Sequence, residues 1–540
     1  MTSPPSTKTL LKAAVRWLPL AIFLLALGAR LLPGARTIDD SYITYRYVRN
    51  ILAGNGFVYN PGERVLGTTT PLYTFLLSGL SLLSGGEQAP LPQISLLVNA
   101  IADGITCLLL LRLGRQLGSR LAGVGTALVW AIAPFSVTFA IGGLETSLYV
   151  LLLTATVLTN LERRFVLSAF LAALALLTRP DALILLAPLA LDRILEFSGI
   201  SSRLGFAPRQ SRGTAWKELV AFGVPVLIWL VFSSAYFGSP LPHSIAAKSI
   251  AYRLPPEAAF TRLLQHYAVP FMGNQTFGTW WIGVGLILGP FLYLVGARHA
   301  LKNQPHAWPY IAYPWLYFAT FALANPLIFR WYLTPPLPAY MLFILAGGEH
   351  LVNDLLKPRQ TTDNQSCHQG RLRLRSVITA ILVVGVPVVL ISQDWVSRPD
   401  HGLQRPAPGM AWYQLELLYR QVADSLADEM SQSDLTPVLA AGDVGVLGYY
   451  TPARILDTVG LNSPISTQYY PLDAEIYIIS YAVPPDLIID QLPDYVVILE
   501  VYGRQGLLKD PRFQQAYRLR QKIPTDIYGS DGMLVFERIE

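Results

Sequence analysis

Apolar runs too long and too numerous for a water-soluble core recur along this chain, and they decide which solvent it folds in. A bilayer core about 30 Å thick needs roughly 17 to 25 mostly apolar residues per crossing helix. Segments at 17–32, 94–111, 121–140, 147–158, 165–177, 182–191, 219–232, 280–295, 311–323, 337–346 and 377–391 meet that need, the shorter ones by borrowing flanking residues. Composition agrees: 52% of the 540 residues are hydrophobic and 14% are charged, against roughly 25% charged in a soluble protein. The expected fold is a polytopic α-helical membrane protein with about eleven spans.

A twelfth apolar stretch, 72–83, is ambiguous, and charge decides it. With this stretch lying on the membrane surface, Arg112, Arg115 and Arg120 face the cytoplasm. So do Arg163 with Arg164, and the run Arg193, Arg203, Arg209, Arg212 and Lys217. Later loops follow suit, with Arg298 and Lys302, then Lys357, Arg359, Arg371, Arg373 and Arg375. Counting 72–83 as a span puts the first three of these loops outside, against the positive-inside rule. An interfacial helix at 71–84 is therefore expected.

This topology puts the N-terminus in the cytoplasm, and the loops 37–70, 142–146, 178–181, 238–273 and 325–332 outside. A membrane domain at 1–392 is expected, with its first outer loop at 36–70. From 393 to 540 the composition becomes that of a soluble domain, with a helical stretch at 412–430 and strands at 438–441 and 495–499. That reads as an extracytoplasmic α/β domain behind a Pro- and Gly-rich linker at 398–408. The basic start (Lys8, Lys12, Arg16) before 17–32 allows a signal peptide, but no A-x-A site follows and a retained first span is expected. The formal charge of +6 is spread over cytoplasmic loops, which argues against nucleic acid as a partner. Cys107 falls in a span and Cys367 in a cytoplasmic loop, so no disulfide is expected.

The first outer loop reads TIDDSYITYRYVRNILAGNGFVYNPGERVLGTTTPLYTFLL. Adjacent carboxylates directly after a span, Asp39 and Asp40, are costly at that depth and tend to be kept for function. Neighbouring side chains point to different faces, so only one of the two can serve as a base. The alternative is that both favour the N-terminus of the helix that follows, which carries Tyr42, Tyr45 and Arg46. On physics alone, the two readings stand level.

The pattern DD-x-YITYRY-x-RN-x-x-x-G-x-G-x-VYNPGERV-x-G-x-T-x-PL resembles the first outer loop of bacterial membrane glycosyltransferases of the C superfamily (GT-C). That group includes protein O-mannosyltransferases, lipid A aminoarabinose transferases and mycobacterial arabinofuranosyltransferases. GLETSLYVLLL from Gly143, LTRPDAL from Leu177, FGSPLPHSIAAKS from Phe237 and RWYLTPPLPAY from Arg330 match in order. AAGDVGVLGYYTPARILDTVGLNSP, from Ala440, also resembles the tail of this group, with no role attached to it.

The resemblance implies inverting transfer of a sugar from a polyprenyl-phosphate carrier to a hydroxyl of a glycan, lipid or protein outside the inner (plasma) membrane. It places the base at Asp39, with Asp40 orienting the acceptor. Departing phosphate needs cations: Arg330 and Lys248 lie in matched motifs, with Arg46, Arg64 and Arg179 as further outer-side candidates and His243 as a donor. Glu145, Tyr332, Tyr42 and Arg179 are candidates for sugar or acceptor, with Trp331 and Tyr59 as stacking rings. Each has a plainer reading. Arg179 beside Asp181 suits a local ion pair, Lys248 a snorkelling side chain, Glu145 a helix start, and the aromatics an interfacial belt. No nucleotide motif or metal-ligand spacing appears; no cofactor or metal is expected to be required, and the acidic pair could hold a divalent cation only together with substrate oxygens, since two carboxylates make a thin cage. The runner-up function is a transporter or flippase of lipid-linked sugars, which would place its binding groups near the midplane of interrupted helices.

Overall fold

The computed structural model describes residues 7–200, 215–357, 365–397 and 404–539. Arg203, Arg209, Arg212, Arg359, the front of the expected linker (398–403) and the side chain of Cys367 lie outside them. Cys107 is a buried free thiol.

The chain is mostly helical up to Ser392. Among the described residues, four helical stretches, Leu91–Gln116, Ala215–Phe237, Trp280–Asn303 and Arg371–Ser392, are long and apolar enough to cross a membrane. Arg120–Ile132 and Pro134–Ile141 pass that test together but bend by 42°. The bend follows from Pro134: the residue before a proline is driven out of the helical region, and Ala133 is extended at φ −62° and ψ 132°. Pro71–Leu82 forms a 12-residue helix, which at about 1.5 Å per residue is too short to span a bilayer.

Charge holds the helices together where sequence periodicity is silent. Fully buried Arg30 donates from Nε to Asp103 Oδ2 at 2.9 Å. Asp103 also accepts from Trp130 Nε1 at 2.9 Å and Ser147 Oγ at 2.7 Å. One carboxylate thereby ties the first helix (Thr7–Leu31) to three others, and its charge is balanced and hydrogen-bonded, as burial demands.

Beyond the membrane helices, the strands β1 (Trp395–Ser397) and β2 (Pro406–Pro408) pair antiparallel. A five-stranded mixed sheet follows, built from β3 (Val438–Ala441), β4 (Arg454–Asp457), β5 (Tyr495–Leu499), β6 (Tyr517–Ile523) and β7 (Met533–Arg538) in the order β4-β3-β5-β7-β6. The inner strand β3 runs parallel to β4 and β5, while β7 is antiparallel to β5 and β6. Strand β5 is buried along its whole length, which fits its unbroken apolar sequence YVVIL. The helix Gln414–Gln432 covers this sheet with Leu415, Tyr419, Val422, Ala423, Leu426 and Met430 at helical spacing.

The first outer loop does not stand apart from this sheet. Its helix Asp39–Leu52 and the segment after it contribute Ile43, Tyr47, Phe57 and Tyr59 to the same apolar core as Leu439, Val446 and Val496.

Candidate active site

Asp39 and Asp40 open the loop helix, and consecutive helical residues diverge by about 100°. Asp39 turns towards the C-terminal sheet and is buried. Its Oδ2 accepts the Gly445 N–H at 2.8 Å and its Oδ1 the Val446 N–H at 2.7 Å, so it caps the helix Gly445–Tyr450. The approach is tight: a Cβ on Gly445 would lie 1.8 Å from the Asp39 carbonyl oxygen. Burial, and after it the Asp443 charge, hold the Asp39 carboxyl well above the ordinary carboxylate range despite those two amides.

Asp40 points the other way, into a cavity of about 210 Å³ that Asp39 does not line. Lys248 Nζ lies 4.0 Å from Asp40 Oδ2, with both side chains partly open to the cavity. Thr68, Glu145, Asp181, Ser244 and Tyr332 share the lining. The expectation that Asp39 leads the pair therefore meets the opposite geometry: both Asp39 oxygens are engaged, and the carboxylate exposed to the cavity is Asp40.

Lys248 and Ser244 sit four residues apart on the helix His243–Ala251, one turn from each other on the same face. Burial pulls the Lys248 ammonium down, but Tyr332 and Asp40 outweigh it and the net shift is upward, so the lysine is charged. Ser244 Oγ is buried with no hydrogen-bond partner among the described residues. His243 keeps outside the cavity lining; its N–H donates to Leu66 O at 2.8 Å, and burial holds its imidazole below its ordinary value and hence neutral.

Arg179 is in the cavity wall but is fully engaged. It donates to Glu145 Oε1 at 3.2 Å and to Asp181 through Nε at 2.9 Å and Nη2 at 3.1 Å. Its guanidinium also lies 4.7 Å from the centre of the Tyr332 ring. The local ion pair is thus real, and it fixes Glu145 towards the cavity.

The remaining candidates fall elsewhere. Arg46 is buried and spends its N–H groups on the carbonyls of Tyr59, Gly448 and Ala453 and on Asn60 Oδ1, so it braces the loop against the sheet. Tyr42 packs among Tyr45, Tyr449 and Tyr450 and does not line the Asp40 cavity. Tyr59 donates to Val444 O at 2.6 Å and is buried. Arg64 lies over the Tyr236 ring. Arg330 opens into a second cavity, of about 470 Å³, together with Arg262. Its expected partner Lys248 lines the first cavity instead, the ammonium 4.9 Å from the centre of the Phe329 ring. Neighbours on the tight turn Arg330–Leu333 point apart, so Tyr332 enters the first cavity, Arg330 the second, and Trp331 borders both.

Ser244, Asp443, Glu416 and Arg262 were not among the candidates. Only Asp443 carried a signal, as part of the AAGDVGVLGYY motif whose role was unassigned. That motif supplies the amides that hold Asp39, the Gly448 carbonyl that holds Arg46, and the Tyr449 carbonyl that Arg49 donates to at 2.6 Å. Among the described residues, no three His, Cys, Asp or Glu side chains gather as a metal cage.

Comparison with known proteins agrees with this architecture. The archaeal oligosaccharyltransferase AglB from Archaeoglobus fulgidus superposes with a TM-score of 0.54 at 14% identity, over 98% of this chain and 74% of that one. ArnT from Cupriavidus metallidurans gives 0.54 at 14% identity, over 97% of this chain and 98% of that one. The chain has the GT-C fold. Within it, two terminal beta-(1->2)-arabinofuranosyltransferases are similar in sequence. The Mycobacterium tuberculosis protein is 36% identical over 116 residues, covering 20% of this chain and 18% of that protein. The Corynebacterium glutamicum protein is 25% identical over 300 residues, covering 50% of this chain and 39% of that protein. The chain thus spans less than two fifths of the length of these curated relatives. The model of a family described as "Domain of unknown function (DUF8728)" matches residues 409–536, which take in nearly all of the five-stranded sheet.

Proposed function

We propose that this chain transfers a sugar from a polyprenyl-phosphate carrier to an acceptor hydroxyl at the outer face of the inner (plasma) membrane, with Asp40 as the base. One observation carries the reading: Asp40 is a carboxylate open to a cavity, 4.0 Å from a charged lysine, on a loop held rigid by its neighbour Asp39. In this scheme the acceptor oxygen attacks the anomeric carbon and gives its proton to Asp40. The bond from that carbon to the phosphate oxygen breaks, and the phosphate leaves with the electron pair. A single displacement inverts the anomeric centre.

Charge growing on the leaving phosphate needs donors already in place. Ser244, in the first turn of the helix His243–Ala251, supplies a hydroxyl unpartnered among the described residues beside the positive end of the helix dipole, and Lys248, one turn further along the same face, supplies a cation. Glu145, oriented by Arg179, and Asp181 accept from sugar hydroxyls, and Tyr332 offers a ring face. Arg330 drops out of the phosphate site in this reading. No metal enters any step. The membrane region is read as about eleven crossings, with residues 393–540 outside. The names of the two curated relatives favour an arabinofuranosyl unit as the sugar.

The test is to give the purified full-length chain, in lipid nanodiscs, a panel of polyprenyl-phosphate sugars with neutral glycan, glycolipid and peptide acceptors, and to identify products by mass spectrometry. The expected result is a product with one donor class and one acceptor class. Movement of lipid-linked sugar across the bilayer without any transfer would sink the reading and restore the flippase.

A further inference from the structure

A phenol buried in a membrane domain needs a partner for its hydroxyl, because no bulk water reaches it. Tyr267 and Tyr340 have one: Tyr267 donates to Pro314 O at 2.6 Å, and Tyr340 to Tyr267 O at 3.1 Å. Tyr149, Tyr310 and Tyr313 are as deeply buried, at 0%, 3% and 1% exposed, yet their hydroxyls have no hydrogen-bond partner among the described residues.

The three gather beneath the first cavity. Tyr310 and Tyr313 lie three residues apart, and so on one face, of the helix Trp308–Ala324, one and two turns below Tyr317. Tyr149 comes from the helix Thr146–Leu161, and its ring centre lies 5.3 Å from the Arg179 guanidinium. For Tyr149 and Tyr313 alike the strongest charge nearby is Asp181, and Tyr313 also interacts with Tyr310.

Asp181 lines the first cavity and has acceptor capacity to spare. Its Oδ1 takes Arg179 Nε at 2.9 Å, and its Oδ2 takes Arg179 Nη2 at 3.1 Å and the Tyr317 hydroxyl at 3.2 Å. A carboxylate offers about four acceptor positions, so one on Oδ1 is open among the described residues. The Tyr317 bond is itself divided, since its single hydrogen also faces the Tyr332 carbonyl, nearer at 2.7 Å. Donors without acceptors therefore stand beside an acceptor with room, and no direct bond joins them.

The charges around this gap select what can fill it. A cation is repelled by the Arg179 guanidinium and an anion by Asp181, which leaves a small neutral group that both accepts and donates. Water does this, and a buried water typically makes about three bonds to groups of this kind. We propose that bound water occupies the space among Asp181, Tyr149 and Tyr313 and runs on to Tyr310, as a hydrated floor under the first cavity. This floor holds Asp181 from below as Arg179 holds it from the side, so membrane helices position a carboxylate that faces the cavity. The inference stands whether or not the cavity transfers a sugar.

The experiment exposes the full-length chain in lipid nanodiscs to an X-ray pulse, which splits water into hydroxyl radicals that oxidise side chains in contact with it. Mass spectrometry then locates the modified tyrosines. Tyr149, Tyr310 and Tyr313 are oxidised, while Tyr267 and Tyr340, buried with their hydroxyls engaged, stay unmodified. Labelling confined to exposed tyrosines, or equal labelling of Tyr267 and Tyr340, would overturn the inference. Thermal unfolding supplies an independent sign. Tyr313→Phe removes a water-bridged hydroxyl and lowers the midpoint by about 1 to 2 °C. Tyr149→Phe combined with Tyr313→Phe lowers it by less than the two single changes together, because both lose the same water. A raised midpoint would mean a dry hydroxyl whose removal relieves the fold, and additive losses would mean no shared water; either result refutes the proposal.

Discussion

The carboxylate of Asp39 caps the short helix that begins at Gly445, 406 residues away in sequence, and so fastens the first outer loop to the C-terminal sheet. Asp40, one residue on, is left facing the cavity.

The two aspartates are therefore expected to fail differently. Asp40→Asn should lower kcat by about 10² to 10⁴ with an unchanged melting temperature. Asp39→Asn keeps one acceptor oxygen for two amides and should destabilise the fold by about 1 to 3 kcal/mol while retaining measurable transfer. Sugar transfer assayed beside thermal unfolding in detergent separates them; full activity in Asp40→Asn would remove it as the base.

Gly445→Ala probes the same clasp from the other side. Its Cβ would meet the Asp39 backbone at 1.8 Å, and backbone cannot swing away. A loss of about 1 to 3 kcal/mol is expected from the forced separation, read as a lower melting temperature; an unshifted melt would mean the contact is loose.

Lys248→Ala should cut kcat/KM for the donor on the order of 10²-fold, the cost of removing a preorganised charge partner. Arg330→Ala, in the second cavity, should leave donor kinetics within about twofold. Reversal of these two effects would put Arg330 rather than Lys248 at the leaving phosphate.

Burial pushes Glu416 from the ordinary 4.5 up to about 7, and Asp443 from 3.8 up to about 6. The folded state thus binds protons more tightly than the unfolded chain. Stability is fully present below the ordinary values and declines as pH rises through about 6 to 7. Melting temperature followed from pH 4 to pH 8 should fall, and Glu416→Gln, which keeps the shape without the charge, should flatten that fall. An unaltered slope in the variant would exclude Glu416 as its source.

Within the membrane helices, Arg30→Ala leaves Asp103 buried and uncompensated, at a cost of about 3 to 5 kcal/mol. Arg30→Met with Asp103→Leu removes both charges and should recover much of that loss. Yields of folded protein and unfolding midpoints compare the two; equal damage from both would mean the pair stabilises by more than mutual charge.

Apolar length and period were enough to locate the helices and the strands β3 and β5, because a buried strand or a membrane helix is specified by the residues it contains. The motifs named Asp40, Glu145, Arg179, Lys248 and Tyr332, and the tertiary structure gathers them round one cavity. Which aspartate faces that cavity was not legible, since both occupy the first turn of the same helix. Gly445 and Val446 settle it, through a contact that closes only when the C-terminal sheet packs against the loop. That Arg330 and Tyr332 line different cavities was not legible for a similar reason: a turn sends neighbours to opposite sides, and only the packed rings of Phe329 and Trp331 decide which side holds which. Local sequence sets what each segment becomes; the direction of a single polar side chain depends on long-range amides and rings that claim one neighbour and leave the other free.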